Sequence, residues 1–141
     1  MKYKTEKEIL EVVHAFETGT IERGAWGHPE HLLVAFCYSK ENDFETALKK
    51  MRHGLFHLLR AFGVDLHHES PYHETLTVFW MRTVFDFAAS RTEVSTVEAV
   101  DDLIRNFDKD YPLRFYSREL LFSDRARKRF VEGDRKIQKG I

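Results

Sequence analysis

The chain has 141 residues, 43% of them hydrophobic and 13% aromatic, with twelve phenylalanines and a formal net charge of -1. A length close to the commonest domain size suffices for one domain whose core needs no staples, and charges that nearly cancel give no global pull towards nucleic acid or an acidic membrane surface. No stretch approaches the ~20 apolar residues of a membrane span, and the opening MKYKTEKEIL has no apolar run of signal-peptide length, so a soluble cytoplasmic protein is the expectation.

A first helix is predicted from about Thr5 to Phe16, with Ile9, Val12, Val13 and Phe16 on one stripe; Gly19-Thr20 ends it, and a turn-rich stretch runs through Gly24 and Gly27. Pro29 suits the first turn of a second helix that reaches about Ser39. Asn42 and Asp43 open a third, with Asn42 and Glu45 spaced as a capping box, and Phe44, Leu48, Met51, Leu55, Leu59 and Phe62 close to an ideal helical period. Gly63 is placed to stop it, and Asp65–Ser70 reads as a loop. Ser70-Pro71 has the chemistry of a cap and first-turn proline for a fourth helix to about Ala89. A fifth starts near Ser95 or Thr96 and carries Val97, Val100, Leu103, Ile104 and Phe107. After Tyr111-Pro112 come the apolar piece LRFYSRELLF and a last helix capped by Ser123. With no run of period-2 alternation, the expected fold is all-α, an irregular bundle of five to six helices forming one domain over residues 1–141.

The charge is unevenly spread. Residues 1–113 carry 13 basic and 19 acidic side chains and 114–141 carry 9 and 4, a body of about -6 beside a tail of about +5. A basic helix docked on an acidic body accounts for this better than a nucleic-acid site, because no stacking aromatics alternate with the basic residues after Phe130.

Eight histidines raise the question of a metal. His53 and His57 have the i, i+4 spacing of a clamp, but they share the side of their helix with Lys50 and Arg60, a solvated cationic stripe and a poor ligand set. His67 and His68 fall in the polar loop, and His14, alone on a partly apolar helix, reads as a satisfied core histidine. His28, His31 and His73 differ: each lies in the first turns of its helix, His31 on a stripe with Leu32 and Ala35, His73 with Leu76, Thr77 and Trp80. The positive end of a helix dipole favours neutral imidazole, the form a metal or a general base needs. Tyr72 and Trp26 are placed to line the same end of a pocket. Glu74 points about a hundred degrees around the helix from His73, as a dipole-favoured acid, a partner for an arginine, or, turned inward, a fourth ligand or base. Cys37, the single cysteine, excludes an internal disulfide and a cysteine-based zinc site and lies away from the His31 stripe. No phosphate loop, dinucleotide fingerprint or nucleophile elbow is present.

Several stretches resemble a family of small bacterial proteins of about this length that has no established activity: Phe16-Glu17-Thr18-Gly19-Thr20; Trp26-Gly27-His28-Pro29-Glu30-His31-Leu32, similar to a Trp-x-His-x-x-His-Leu motif; Ala47-Leu48 with Met51-Arg52; Tyr72-His73-Glu74-Thr75-Leu76-Thr77; and Tyr116-Ser117-Arg118, Leu121, Ser123, Ala126-Arg127 and Asp134. The resemblance covers most of the chain after residue 15 and implies one domain, with a site at His28, His31, Tyr72, His73, Glu74, Arg118 and Arg127. Where that family tends to Pro-Asp near its end, this chain has Gly133-Asp134.

Two readings remain open. In one, His28, His31 and His73 meet in a pocket and bind a divalent metal such as zinc, leaving open positions for water or substrate, or a histidine acts as base while Arg118 or Arg127 holds a small polar or anionic molecule. In the other, the histidines hold helix ends together, and the basic C-terminal segment or an apolar face serves a non-catalytic protein-interaction domain.

Overall fold

A computed structural model describes residues 1–64 and 72–135. Among them there is no strand; the elements are α1 (Glu6–Thr18), α2 (His28–Glu41), α3 (Phe44–Ala61), α4 (Glu74–Ala89), α5 (Thr96–Asn106), α6 (Arg118–Leu121) and α7 (Asp124–Lys128), with short 3-10 turns at Arg23–Ala25 and Tyr111–Arg114. The all-α expectation holds, with five substantial helices and two of barely more than one turn. No described helix is long and apolar enough to cross a membrane.

The helix at the centre is α2, which packs against α1, α3, α4 and α5. Seven consecutive residues, Leu32 to Tyr38, are buried, so α2 has no solvent stripe; a helix apolar all round belongs inside. By contrast α3 is amphipathic and buries Ala47, Leu48, Met51, Gly54 and Leu58. Gly54 falls on this inner line because Phe16 occupies the space beside it: a Cβ there would sit 2.3 Å from Phe16 Cε2. Phe16 is itself fully buried and stacked on Trp26 with ring centroids 4.9 Å apart.

Local capping chemistry starts most helices. Thr5 and Glu8 form a reciprocal capping box on α1, and Ser95, Ser117 and Ser123 accept the N–H three residues on for α5, α6 and α7. Two expected starts are corrected. Asp43, not Asn42, caps α3 by accepting from Thr46 N–H, while Asn42 turns back and donates to the Tyr38 carbonyl. The fourth helix begins at Glu74, with His73 as its cap; the expected Ser70-Pro71 start, the loop before it and His67 and His68 lie outside the described residues.

Residues 116–131 form a small second core of Tyr116, Leu121, Ala126 and Val131 that packs on α4 through Leu76 and Phe79. The predicted basic helix stops at Lys128. Arg129 is extended (φ -150°, ψ 157°), and the chain is then stitched to α4: Thr75 Oγ1 donates to the Arg129 carbonyl at 3.0 Å and accepts from Val131 N–H at 3.1 Å. The chain remains engaged beyond that point. Gly133 passes so close to Phe115 that a Cβ would meet its carbonyl at 2.3 Å, and Asp134 accepts from both the N–H and the hydroxyl of Ser117.

Candidate functional site

The three histidines picked out by their helix positions have three different environments. His73 caps α4: its Nδ1 accepts from Leu76 N–H at 3.1 Å, which leaves the proton on Nε2 to be donated to the Leu121 carbonyl at 2.5 Å. Burial lowers its pKa and the charge of nearby Arg127 adds to that, against the opposing pull of the Leu121 carbonyl. Both nitrogens are therefore committed to backbone. His28 opens α2 and its Nε2–H donates to the Phe107 carbonyl at 2.7 Å, tying α2 to the end of α5, with the ring tilted over Trp80.

His31 is the exception. Its Nε2 is shut off from solvent and has no hydrogen-bond partner among the described residues. Burial, with a smaller contribution from neighbouring His28, lowers its pKa from the usual 6.5 to about 4, so the ring is neutral at physiological pH. Buried polar atoms are nearly always paired, and an unpaired one in a native fold calls for an explanation.

The His31 ring lines a pocket of about 220 Å³ between the first turns of α2 and α4 and the second half of α3. Its walls are Trp26, Leu55, Leu58, Leu59, Phe62 and Leu76, with Tyr72, His73 and Thr77 as the other polar residues. Of the residues expected at a site, His31, Tyr72 and His73 come together here, and Trp26 joins them. His28, Glu74, Arg118 and Arg127 do not line the pocket. Glu74 is held elsewhere: Arg52 grips it through two hydrogen bonds, Nε to Oε1 at 3.0 Å and Nη2 to Oε2 at 2.6 Å, and Tyr72 donates to Oε1 at 2.6 Å. Of its three expected roles two are realised, first-turn acid and arginine partner, and Tyr72, stacked on Phe56, has its pKa pushed up to about 12 by burial and by that carboxylate. Arg118 is exposed at the start of α6, and Arg127 is half-buried on α7.

This geometry corrects the three-imidazole metal centre. Among the described residues no group of three or more His, Cys, Asp or Glu is arranged to hold a metal ion, and His73 spends both ring nitrogens, and His28 its Nε2, on backbone carbonyl and N–H groups. Of the other described histidines, His14 is exposed rather than in the core, His53 is exposed, and His57 packs beside the Gly19 turn. Cys37 is buried, and burial, helped by Glu41, pushes its thiol up to about 12, far from a nucleophile's range.

One buried charge was not anticipated. Glu30, 2% exposed, accepts from Gly27 N–H at 3.0 Å and Tyr3 hydroxyl at 2.5 Å and pairs with Lys2 at 2.6 Å. Burial alone would raise its pKa, but the bonds from Lys2 and Tyr3 outweigh that and lower it. The Gly27-x-x-Glu30 spacing at a helix start carries half of this in sequence; the partners 27 and 28 residues away carry the rest.

No protein-family model matches the chain, and no curated protein or solved structure matches it at a significant level. The fold and the site define an all-helical protein with a mostly apolar pocket that one neutral, unpaired imidazole borders.

Proposed function

We propose that the protein binds a small, uncharged, largely apolar molecule bearing one hydrogen-bonding group, seated in the His31 pocket. The observation that carries this reading is a buried His31 Nε2 with no partner among the described residues, on a ring whose residue lines an otherwise greasy pocket. On this reading the ring turns about its Cβ–Cγ bond when a ligand enters, and the ligand's polar group supplies the partner that Nε2 lacks. No lining residue is charged at neutral pH, which disfavours an anion or a cation. The volume of about 220 Å³ falls below the ~300 Å³ where pockets for drug-sized ligands begin, yet exceeds the roughly 150 Å³ that accepts benzene. A single ring with a hydroxyl fits those bounds. The reading is one of binding: an imidazole that protonates near 4 is a weak base at neutral pH.

Phenol, benzene and benzoate provide the test, followed by amide chemical shifts and thermal stabilisation, which grows with ligand concentration over Kd. Phenol should bind saturably and shift Leu59, Leu76 and Thr77, more tightly than benzene, with benzoate excluded from these residues. His31→Leu should erase the preference for phenol over benzene, and Leu59→Phe should block both. Equal binding of phenol and benzene by the wild type, or no shifts around the pocket at millimolar phenol, would refute the proposal.

A further inference from the structure

A second buried side-chain atom without a hydrogen-bond partner among the described residues is Ser39 Oγ, and Ser39 also lines a pocket. Ser39 is 7% exposed and lies eight residues beyond His31 on α2, about 12 Å along the axis, so the two sites are separate. This pocket, about 330 Å³, is walled by Phe36, Phe85, Ala88 and Ala89 and rimmed by Lys40 and Arg91. A serine inside a helix commonly satisfies its hydroxyl on the carbonyl one turn back; Ser39 makes no such bond, and the residue lines a largely apolar hollow into which a turn about its Cα–Cβ bond would bring Oγ.

The rim is cationic. Lys40 Nζ donates to the Thr96 hydroxyl at 2.9 Å and has no carboxylate partner among the described residues. Arg91 lies over the Phe87 ring and reaches Asp102 only at 4.0 Å, a carboxylate that Arg105 holds at 3.0 Å. Glu41 projects about 200° around α2 from Ser39, off this face. The C-terminal ends of α2 and α4 oppose an anion here, each by up to roughly half a unit of negative charge within its last turn. That is enough to make the rim a poor trap for a bare anion, and too little to cancel two full cations.

From this arrangement we infer that the Ser39 pocket binds a small monocarboxylate with an apolar body, the ring or short chain resting on Phe36, Phe85 and Ala88 while the carboxylate accepts from Ser39 Oγ and from Arg91 or Lys40. Both parts of the ligand are required: the walls supply burial and the rim supplies the charge-assisted bonds.

The probes are benzoate, benzyl alcohol and acetate, titrated into the intact protein with amide shifts of Ser39, Ala88 and Ala89 as the readout. Benzoate should saturate, with benzyl alcohol and acetate each at least about fivefold weaker. Ser39→Ala and Arg91→Gln, checked by circular dichroism to be folded, should each weaken benzoate by about fivefold to tenfold, a change on the order of 1 kcal/mol, and Arg91→Lys should recover part of the loss. Leu59→Phe, which blocks the His31 pocket, should leave benzoate binding unchanged, so the two readings fail independently. Benzyl alcohol binding as tightly as benzoate, acetate binding as tightly as benzoate, or unchanged affinity in Ser39→Ala and Arg91→Gln would each overturn the assignment.

Discussion

Gly54 shows how a single position can set two principles against each other. In an exposed helix, replacing glycine by alanine gains about 1 kcal/mol of helix propensity. Here the added Cβ would meet the Phe16 ring at 2.3 Å, and that ring is fully buried and stacked on Trp26. Overpacking costs about 1–3 kcal/mol, so Gly54→Ala should lower the melting temperature despite the better propensity; an unchanged or higher value by calorimetry would mean that Phe16 gives way freely. Sequence could not disclose this, since Phe16 and Gly54 are 38 positions apart and only the fold brings them together. The same holds at the site. The positions of His31 and His73 on their helices were legible, because periodicity is local. That His73 spends both nitrogens on backbone while His31 keeps one unpaired depends on Leu121 and on α3, which no local pattern names.

At the scale of elements, helix starts were legible wherever a short polar side chain closes on its own first turn, as at Thr5, Ser95 and Ser123. They were misplaced where the cap was unusual, as with the imidazole of His73, or where two candidates stood side by side, as with Asn42 and Asp43. The C-terminal segment was misread for a different reason. Its basic, helix-prone sequence continues past Lys128, but the backbone of Arg129 and Val131 has better partners on α4, both supplied by the one hydroxyl of Thr75. Thr75→Val therefore leaves two backbone groups unpaired at the edge of the second core, at about 1–3 kcal/mol each if they stay buried. The expected result is a melting temperature lowered by several degrees and faster hydrogen exchange at Val131, with Thr75→Ser close to wild type. Equal exchange at Val131 in Thr75→Val would show that the segment docks by its apolar contacts alone.

For the molecule as a whole, the buried ionisable groups of the central helix and the pocket point to one behaviour, loss of stability in acid. His31 stays neutral in the fold down to a pKa of about 4, whereas in the unfolded chain it takes a proton near 6.5. Between those values the unfolded state binds more protons, so stability falls as pH falls; at about 1.4 kcal/mol per pH unit the loss from this one ring is on the order of 3 kcal/mol, complete below pH 4. His73, whose pKa is also lowered by burial and by Arg127, has the same sign and begins its loss in the same range. Glu30 acts further down. Its lowered pKa means that its bonds to Lys2, Tyr3 and Gly27 contribute fully above the ordinary carboxylate value and are lost as pH drops through the folded one. Two successive acid arms should therefore appear in denaturant-derived stability, a histidine arm from about pH 6.5 to 4 and a carboxylate arm below it. His31→Leu separates them. With the unpaired nitrogen replaced by an apolar group, stability at pH 7 should be unchanged or higher, and the upper arm should shrink to the His73 contribution while the lower arm persists. An upper arm of the same slope in His31→Leu would place the titration elsewhere and would remove the neutral, unpaired imidazole on which the pocket reading rests.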